Sequence, residues 1–242
     1  LSSSSAASDV YKRQAPDCIL SIWPKIISKS VLEVPKRLTI GTHPSSLPMN
    51  QGRHPLHWMI VLGLSNTLLS FFAMDEGIDT GNILYQVPFS ISNRSISYAV
   101  SDMCTAGYQG TRDLLQLLES NSSYKGIKQT KKFQNYWRKR TEHDVTLDPR
   151  MSSKMILRIV SSFCPPYPGA ILRVSNLSQL RISNGKIVNE DTLPANGRNF
   201  EHGFIVSSTA STLKIRVEDS VVELEVLGAS EDLEQLIGKI IH

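Results

Sequence analysis

The chain has 242 residues, of which 40% are hydrophobic and 20% are charged, and its formal net charge is +4. This composition is ordinary for a globular protein, and the length suffices for one large domain or two modest ones. The charge is too small to indicate nucleic-acid binding by itself. No stretch approaches the ~20 consecutive apolar residues that a membrane-spanning helix needs.

The three cysteines indicate the redox environment of the protein. Cys18, Cys104 and Cys164 are isolated, so their spacing predicts neither a disulfide framework nor a metal site. We therefore expect a reducing, cytoplasmic location.

Residues 1–14 are rich in serine and lack the apolar region of a signal peptide. We interpret them as a non-native or disordered head, and expect an N-terminally truncated chain that enters its first domain near Ala15.

The first half of the chain carries short apolar runs that predict strands. Residues 18–23, 38–40 and 68–74 have the length and composition of buried strands in an α/β sheet. A fourth run, residues 83–87, predicts an antiparallel or edge strand that ends at Pro88.

Two helices are predicted between and after these strands. Pro55 can open a helix as its first residue, and the helix should extend to Leu62. Residues 97–119 carry apolar side chains at helical spacing and predict a helix that covers the sheet.

Two polar loops follow predicted strands and carry the candidate chemistry. His43 follows the second strand, and Asp79 lies in an acidic, glycine-containing loop after the third. If the loops meet at the ends of neighbouring strands, the two side chains form a pair that can transfer protons. Asp75 is an alternative carboxylate, which we interpret as a loop cap. His54 and His57 adjoin the proline-started helix and are assigned packing or surface roles.

Residues 125–140 form a basic segment. Seven lysine and arginine residues alternate there with Phe133, Tyr136 and Trp137. The segment lacks a clear period and is interpreted as an inter-domain linker. Alternatively, cations and aromatic rings bind nucleic acid by neutralising phosphates and stacking on bases.

A second domain is predicted from about residue 148. Asp148 can cap a helix whose apolar face runs from Met151 to Phe163. Short alternating strands follow, with a hairpin turn expected at Asn184-Gly185. Five or six such strands predict a small open β-barrel, and a short amphipathic helix over residues 231–241 is predicted to end the chain.

Three motifs support a resemblance to a known family. They are the run Thr42-His43-Pro44-Ser45-Ser46-Leu47-Pro48, the run Gly52-Arg53-His54-Pro55, and residues 74–84 with their Asp79-Thr80-Gly81. In this order and spacing they resemble the folate-dependent formyltransferases, a family that includes methionyl-tRNA formyltransferases and amino-sugar N-formyltransferases. Pro166-Tyr167-Pro168-Gly169-Ala170 resembles the start of the C-terminal barrel of that family.

The resemblance implies an architecture. The fold class is α/β: a truncated Rossmann-like formyltransferase domain over residues 15–120, a basic linker over residues 121–147, and an OB-like open barrel over residues 148–242.

The resemblance also implies an activity, in which a formyl group passes from 10-formyltetrahydrofolate to a primary amine without a metal. The amine would belong to methionyl-tRNA, with the basic residues 125–140 in contact with the tRNA, or alternatively to a nucleotide-linked amino sugar. The catalytic residues implied are His43 and Asp79. The folate-binding residues implied are Ser45, Ser46, Leu47, Pro48 and Ile78.

Two positions depart from the pattern of the family. Gly41 stands where the family has an asparagine, which removes a side-chain donor to the oxyanion of the reaction. Gln51 stands where the family commonly has an arginine. A weakened relative that binds folate or nucleic acid, and a folate-dependent hydrolase, are therefore alternative functions.

Overall fold

The computed structural model describes residue 14 and residues 16–22, 26–91, 95–174, 178–189, 199–228 and 233–241. The chain divides into two compact units. The first comprises residues 1–55, 66–90 and 100–139, and the second comprises residues 56–65, 91–99 and 140–242. Within the described ranges, no helix is long and apolar enough to cross a membrane. The predicted head, except Gln14, and Trp23 of the first apolar run lie outside the described residues.

A four-stranded mixed sheet forms the centre of the first unit. Its strands are β1 (Cys18–Ser21), β2 (Leu38–His43), β4 (Asn66–Ala73) and β5 (Ile83–Ser90), in the order β1-β2-β4-β5. β1 and β2 are parallel, whereas β4 is antiparallel to both of its neighbours. Strands occupy all four predicted positions, but two details of the prediction are wrong: β1 has no fully buried residue, and the fourth strand does not end at Pro88. β5 continues through Pro88, because an edge strand tolerates a residue without an N–H group.

The first 120 residues also contain three α-helices: α1 (Lys29–Leu32), α2 (Pro55–Leu62) and α3 (Ile96–Ser120). All of α2 except Pro55 belongs to the second unit, and most of α3 belongs to the first. The predicted start of α2 at Pro55 and the predicted long helix are confirmed. At Gly110 of α3, a β-carbon would lie 2.7 Å from Val87 Cγ2 and 2.9 Å from Phe71 Cζ. The glycine therefore lets α3 pack closely on β4 and β5.

The predicted linker has defined structure within the first unit. We call residues 125–139 the strap. Its strand β6 (Tyr136–Trp137) pairs in parallel with β3 (Gln51–Gly52), next to the candidate site. The Gln51 N–H donates to Asn135 O at 3.1 Å, and the Arg53 N–H donates to Trp137 O at 2.9 Å. The strap is therefore an added edge of the first unit, which a search for hydrophobic periodicity misses because β6 has only two residues.

An antiparallel sheet and one helix, α4 (Ser153–Phe163), form most of the second unit. Its strands are β7 (Ala170–Arg173), β8 (Gln179–Ile187), β9 (Ile205–Ser208), β10 (Thr212–Arg216) and β11 (Val221–Val226), and their order in the sheet is β7-β8-β11-β10-β9. Apolar side chains of α4 and of the strands form one buried core. The described residues show no pairing between the edge strands, so barrel closure stays a prediction.

The predicted hairpin at Asn184-Gly185 is wrong. Both residues lie inside β8, where Asn184 pairs with Glu225 and Gly185 pairs with Leu224 of β11. A β-carbon on Gly185 would lie 2.9 Å from the side chains of both Leu157 and Leu224. The glycine thus allows close packing within a long strand. The sequence Asn-Gly alone does not show whether its glycine serves in a turn or at such a closely packed strand position.

Two predicted helix ends also differ. Ser152, and not Asp148, caps α4, and Asp148 instead forms an ion pair with Arg150. The predicted C-terminal helix is reduced to a 3₁₀ helix at Leu233–Leu236, and residues 231–232 lie outside the described residues. Beyond this helix, the Gly238 N–H donates to Ile205 O of β9 at 3.0 Å.

Candidate active site

His43 is the last residue of β2 and is 5% exposed. Its Nε2 donates to the carbonyl oxygen of Asn50 at 2.8 Å. Since that carbonyl can only accept, Nε2 carries a hydrogen, and Nδ1 is the nitrogen that faces the second candidate residue. Nδ1 lies 3.4 Å from Oδ2 of Asp79. The structure thus brings the two predicted catalytic side chains together.

The carboxylate of Asp79 contacts a backbone N–H group as well as the imidazole of His43. Its Oδ2 accepts a hydrogen bond from the Gly52 N–H at 2.9 Å, and its φ angle is 55°. Aspartate tolerates this left-handed region better than most residues. Gly52 has a φ of 101°, which favours glycine, so the turn that presents its N–H to Asp79 depends on that residue type.

The path that brings Asp79 to His43 differs from the prediction. Because β4 is antiparallel to β2, its last residue, Ala73, lies opposite Ile40 and not opposite His43. The Met74 N–H then donates to Thr39 O at 2.7 Å. The acidic loop must therefore run back along β2 before Asp79 reaches the imidazole. Asp75, the alternative carboxylate, accepts from the Gly77 N–H and the Thr80 hydroxyl, which is the loop-capping role predicted for it.

The turn that follows His43 is internally braced. Ser45 is fully buried, and its hydroxyl donates to Met49 O at 2.9 Å. Ser70 Oγ donates to Ser45 O at 2.6 Å, and Gln86 Nε2 donates to Leu47 O at 3.2 Å. These contacts fix the turn and hold the carbonyl of Asn50 where the imidazole can reach it.

A cavity of about 490 Å³ lies beside the pair, wholly within the first unit. Of the predicted folate-binding residues, Ile78 lines it, whereas Ser45, Ser46, Leu47 and Pro48 do not. Its apolar wall remains open, since Ile22 is 83% exposed and Ile26 is 81% exposed. The lining side chains comprise an apolar group (Ile22, Ile26, Ile27, Phe72, Met74, Ile78) and a polar group (Thr42, His43, Arg53, Asp75, Asp79, Tyr136).

Gly41 also lines the cavity, and the space for a side chain there is filled. A β-carbon would lie 2.8 Å from Phe72 Cζ and 2.9 Å from Met74 Cγ. Phe72 is the direct partner of Gly41 in the pairing of β2 with β4. The side chains of Phe72 and Met74 therefore occupy the space into which an asparagine side chain at position 41 would extend.

Sequence reasoning missed several residues of this site and misassigned one. Tyr136 of the strap lines the cavity, and Gln129 of the strap contacts Asp79, although neither belongs to a motif. Arg140, counted among the basic residues, is only 6% exposed in the second unit, where it donates to Ser162 Oγ at 2.9 Å. The remaining six cations of the segment are exposed: Lys125, Lys128, Lys131, Lys132, Arg138 and Lys139.

Residues 2–104 match the family described as Formyl transferase. The bifunctional polymyxin resistance protein ArnA of Wigglesworthia glossinidia brevipalpis is 29% identical over 67% of this chain and 25% of its own length. The methionyl-tRNA formyltransferase of Clostridioides difficile is 23% identical over 96% of this chain and 73% of its own length. The GDP-perosamine N-formyltransferase of Brucella melitensis is 28% identical over 66% of this chain and 61% of its own length. The chain thus spans less than two thirds of two of these relatives.

Solved structures share the fold. HypX from Aquifex aeolicus in complex with tetrahydrofolic acid superposes with a TM-score of 0.69 at 17% identity, covering 90% of this chain and 37% of HypX. A methionyl-tRNA formyltransferase from Clostridium thermocellum gives a TM-score of 0.63 at 20% identity, covering 76% of this chain and 78% of the enzyme. Taken together, the family match over residues 2–104, the motif order and the α/β sheet support a relationship of this chain to the formyltransferase family.

Proposed function

We propose that the protein transfers a formyl group from 10-formyltetrahydrofolate to a primary amine. The observation that carries this proposal is the His43–Asp79 pair, with Nδ1 and Oδ2 at 3.4 Å, on the wall of an open cavity of about 490 Å³. The family match and the relatives that act as formyltransferases support it.

The pair supplies the proton transfer that the reaction requires. When an amine nitrogen bonds to the formyl carbon, the bond from that carbon to the donor nitrogen breaks, and one proton must move from the amine to the departing nitrogen. Asp79 can accept this proton, and the adjacent imidazole of His43 stabilises the carboxylate charge and relays the proton. Because His43 is buried and bonded to Asn50 O, its ring is held in place for this role.

The cavity fits a folate donor. Folates join a flat heteroaromatic ring to a chain that ends in carboxylates, and such ligands prefer an apolar cleft with a few polar groups. Ile22, Ile26 and Ile78 offer an exposed apolar wall, and Arg53 provides a cation. When bound, the donor supplies the activated formyl group. Ser45, Ser46, Leu47 and Pro48 act indirectly, by shaping the turn behind His43.

Methionyl-tRNA is the acceptor that we propose first. The strap carries six exposed cations and also contributes Tyr136 to the cavity, so phosphates bound there would lie near the reacting groups. The similarity to a methionyl-tRNA formyltransferase extends over 96% of this chain. We further propose that the antiparallel sheet of the second unit is an OB-like barrel that helps to bind this acceptor. We also propose that the protein is cytoplasmic.

Two alternatives have specific support. A nucleotide-linked amino sugar is favoured by the similarity to GDP-perosamine N-formyltransferase. A catalytically weakened folate-binding relative is favoured by Gly41, whose side-chain space is filled by Phe72 and Met74.

The test is a formyl-transfer assay with purified protein and 10-formyltetrahydrofolate. Formyl-methionyl-tRNA or a formylated amino sugar, formed by the parent protein and lost in His43→Gln, identifies the acceptor. Formate release without an acceptor would indicate hydrolysis instead. Folate binding without any product supports the weakened relative, and absence of folate binding overturns the proposal.

A further inference from the structure

The main chain of Asp79 is held by two glutamine side chains. Gln129 Nε2 donates to Asp79 O at 2.8 Å and to Gly81 O at 2.7 Å. Gln51 Nε2 donates to the same Asp79 carbonyl at 2.9 Å. One carbonyl oxygen therefore accepts two side-chain hydrogen bonds, one from β3 and one from the strap.

These contacts belong to a continuous chain of carboxamides. Gln51 Nε2 also donates to Gln129 Oε1 at 3.2 Å, and Gln51 Oε1 accepts from Gln134 Nε2 at 2.8 Å. Gln51 is only 3% exposed, so a buried amide without partners would be costly there. Here both Nε2 hydrogens of Gln51 and both of Gln129 have acceptors. Such satisfied networks rigidify the groups that they connect.

Rigidity at this carbonyl bears directly on the candidate site. The carbonyl group and the side chain of Asp79 are attached to the same Cα, so a shift of one moves the other. With the carbonyl fixed by Gln51 and Gln129, the carboxylate stays directed at the Gly52 N–H and the imidazole. A displacement of about 1 Å in a reacting group reduces rates by about a hundredfold.

We propose that Gln129 is a positioning residue that acts together with Gln51 and Gln134 to hold Asp79 against His43, which makes the strap part of the active site. The kinetic consequence rests on the proposed formyl transfer, whereas the structural consequence does not. Gln51 stands where the family commonly has an arginine, so the carboxamide chain is a feature of this protein's own residues.

Gln129→Met tests the proposal, because it keeps the length of the side chain and removes both donated hydrogen bonds. We expect kcat to fall about tenfold to a hundredfold, as for other residues that orient a catalytic group, with the KM for the donor nearly unchanged. Gln129→Glu, which retains an acceptor but not the donors, should behave similarly. The matched control is Gln109→Met on α3, which removes one exposed hydrogen bond to Asp113.

A double-mutant cycle separates positioning from general destabilisation. If Gln129 acts through Asp79, adding Gln129→Met to Asp79→Asn should cause no further loss of kcat. Equal fold losses in the two backgrounds would overturn the proposal. The free energy of unfolding of each variant is measured alongside, and Gln134→Met, which removes only the outermost link, should give a smaller loss in the same direction.

A readout independent of activity is the NMR spectrum of the His43 ring nitrogens. Gln129→Met should shift the Nδ1 signal in the same direction as Asp79→Asn does, while Gln109→Met should leave it in place. An unshifted signal in Gln129→Met overturns the proposal. If the parent transfers no formyl group but the ring signal responds, the proposed function fails and the positioning role stands.

Discussion

Gly41 of β2 lies directly opposite Phe72 of β4, and the phenyl ring, with Met74, fills the space that a side chain at position 41 would need. The absence of an amide at this position is therefore accompanied by larger side chains on the facing strand and in the loop after it. Positions 41 and 72 form a packing pair, because the size of the side chain at one position limits the size that the other can accommodate.

This pair predicts the result of restoring the amide. Gly41→Asn alone should lower the free energy of unfolding by about 1–3 kcal/mol, because its β-carbon meets the buried Phe72 ring. Adding Phe72→Leu should make the combined loss smaller than the sum of the two single losses. If the amide then reaches the reacting carbonyl, the rate should rise by about a hundredfold.

Urea unfolding and a formyl-transfer assay measure both effects. Gly107→Asn on α3 is the control, since a β-carbon there would make only an ordinary contact, at 3.6 Å from Leu69. Additive destabilisation by Gly41→Asn and Phe72→Leu would contradict the packing pair.

The candidate catalytic pair gives a direct prediction. His43→Gln and Asp79→Asn should each lower kcat by about a hundredfold to ten-thousandfold, because each removes one member of the proton-transfer pair. His202→Gln, at an exposed position of the second unit, should leave kcat unchanged. Steady-state kinetics with 10-formyltetrahydrofolate provide the measurement, and near-wild-type rates in both site variants would exclude the assigned roles.

The exposed cations of the strap predict how the acceptor binds. If tRNA is the acceptor, Lys131→Gln with Lys132→Gln should weaken tRNA binding, because fewer phosphates are neutralised. The slope of log K against log[salt] should then fall by about 1 for each phosphate that the strap no longer neutralises. Lys154→Gln, an exposed residue of α4, is the control.

Arg140 should behave differently from these lysines. It is buried against Ser162 Oγ, and its guanidinium lies 5.5 Å from the Trp58 ring centroid. Arg140→Gln should lower stability and leave the salt slope unchanged. Binding titrations over a range of salt concentrations decide the matter, and a salt slope that Lys131→Gln and Lys132→Gln do not alter would favour the sugar acceptor.

A carboxylate at the start of α4 predicts pH-dependent stability. Asp219 accepts hydrogen bonds from the Ser153 N–H at 2.7 Å and the Ser153 hydroxyl at 3.1 Å. The backbone hydrogen bond from Ser153 is the main cause that lowers the pKa of Asp219 below its ordinary value of 3.8. A lowered folded-state pKa means that the stabilisation is present above the ordinary value and is lost as the pH falls through the lowered one.

Asp219→Ala should therefore lower the free energy of unfolding by about 1–2 kcal/mol at neutral pH, the usual effect of losing a side-chain acceptor for a backbone N–H at the start of a helix. The difference from the parent should shrink below about pH 4, where the unfolded carboxylate is already protonated. Glu218→Ala, at the adjacent exposed position, is the control. A difference that stays constant down to pH 2 would contradict the assignment.

Local signals in the sequence were sufficient for much of the first unit. Four apolar runs corresponded to four strands, Pro55 marked the start of α2, and the motifs around His43 and Asp79 identified two side chains that do meet. What these signals lack is strand direction. The antiparallel orientation of β4 depends on long-range pairing, so the return path of the acidic loop could not be read from residues 74–82.

The errors have a common physical cause, which is that tertiary contacts override local preference. Asn184-Gly185 favours a turn in isolation, but pairing with β11 and close packing against Leu157 keep β8 continuous. Gln129 lies in none of the sequence motifs. Its role could not be predicted, because a glutamine side chain indicates a function only when its hydrogen-bond partners are known. Arg140 counts as one more charge in the sequence, and only the structure shows that it is buried.

The parallel pairing of β6 with β3 has a consequence for how such chains can be shortened or recombined. A cut after α3, at the boundary near residue 120 that the sequence suggests, would remove Gln129, Gln134 and Tyr136 from the unit that contains His43. A fragment that keeps the whole first unit must extend to residue 139. Chimaeras that exchange residues 140–242 between relatives should therefore be joined beyond Lys139, so that the unit that contains His43 retains its own strap.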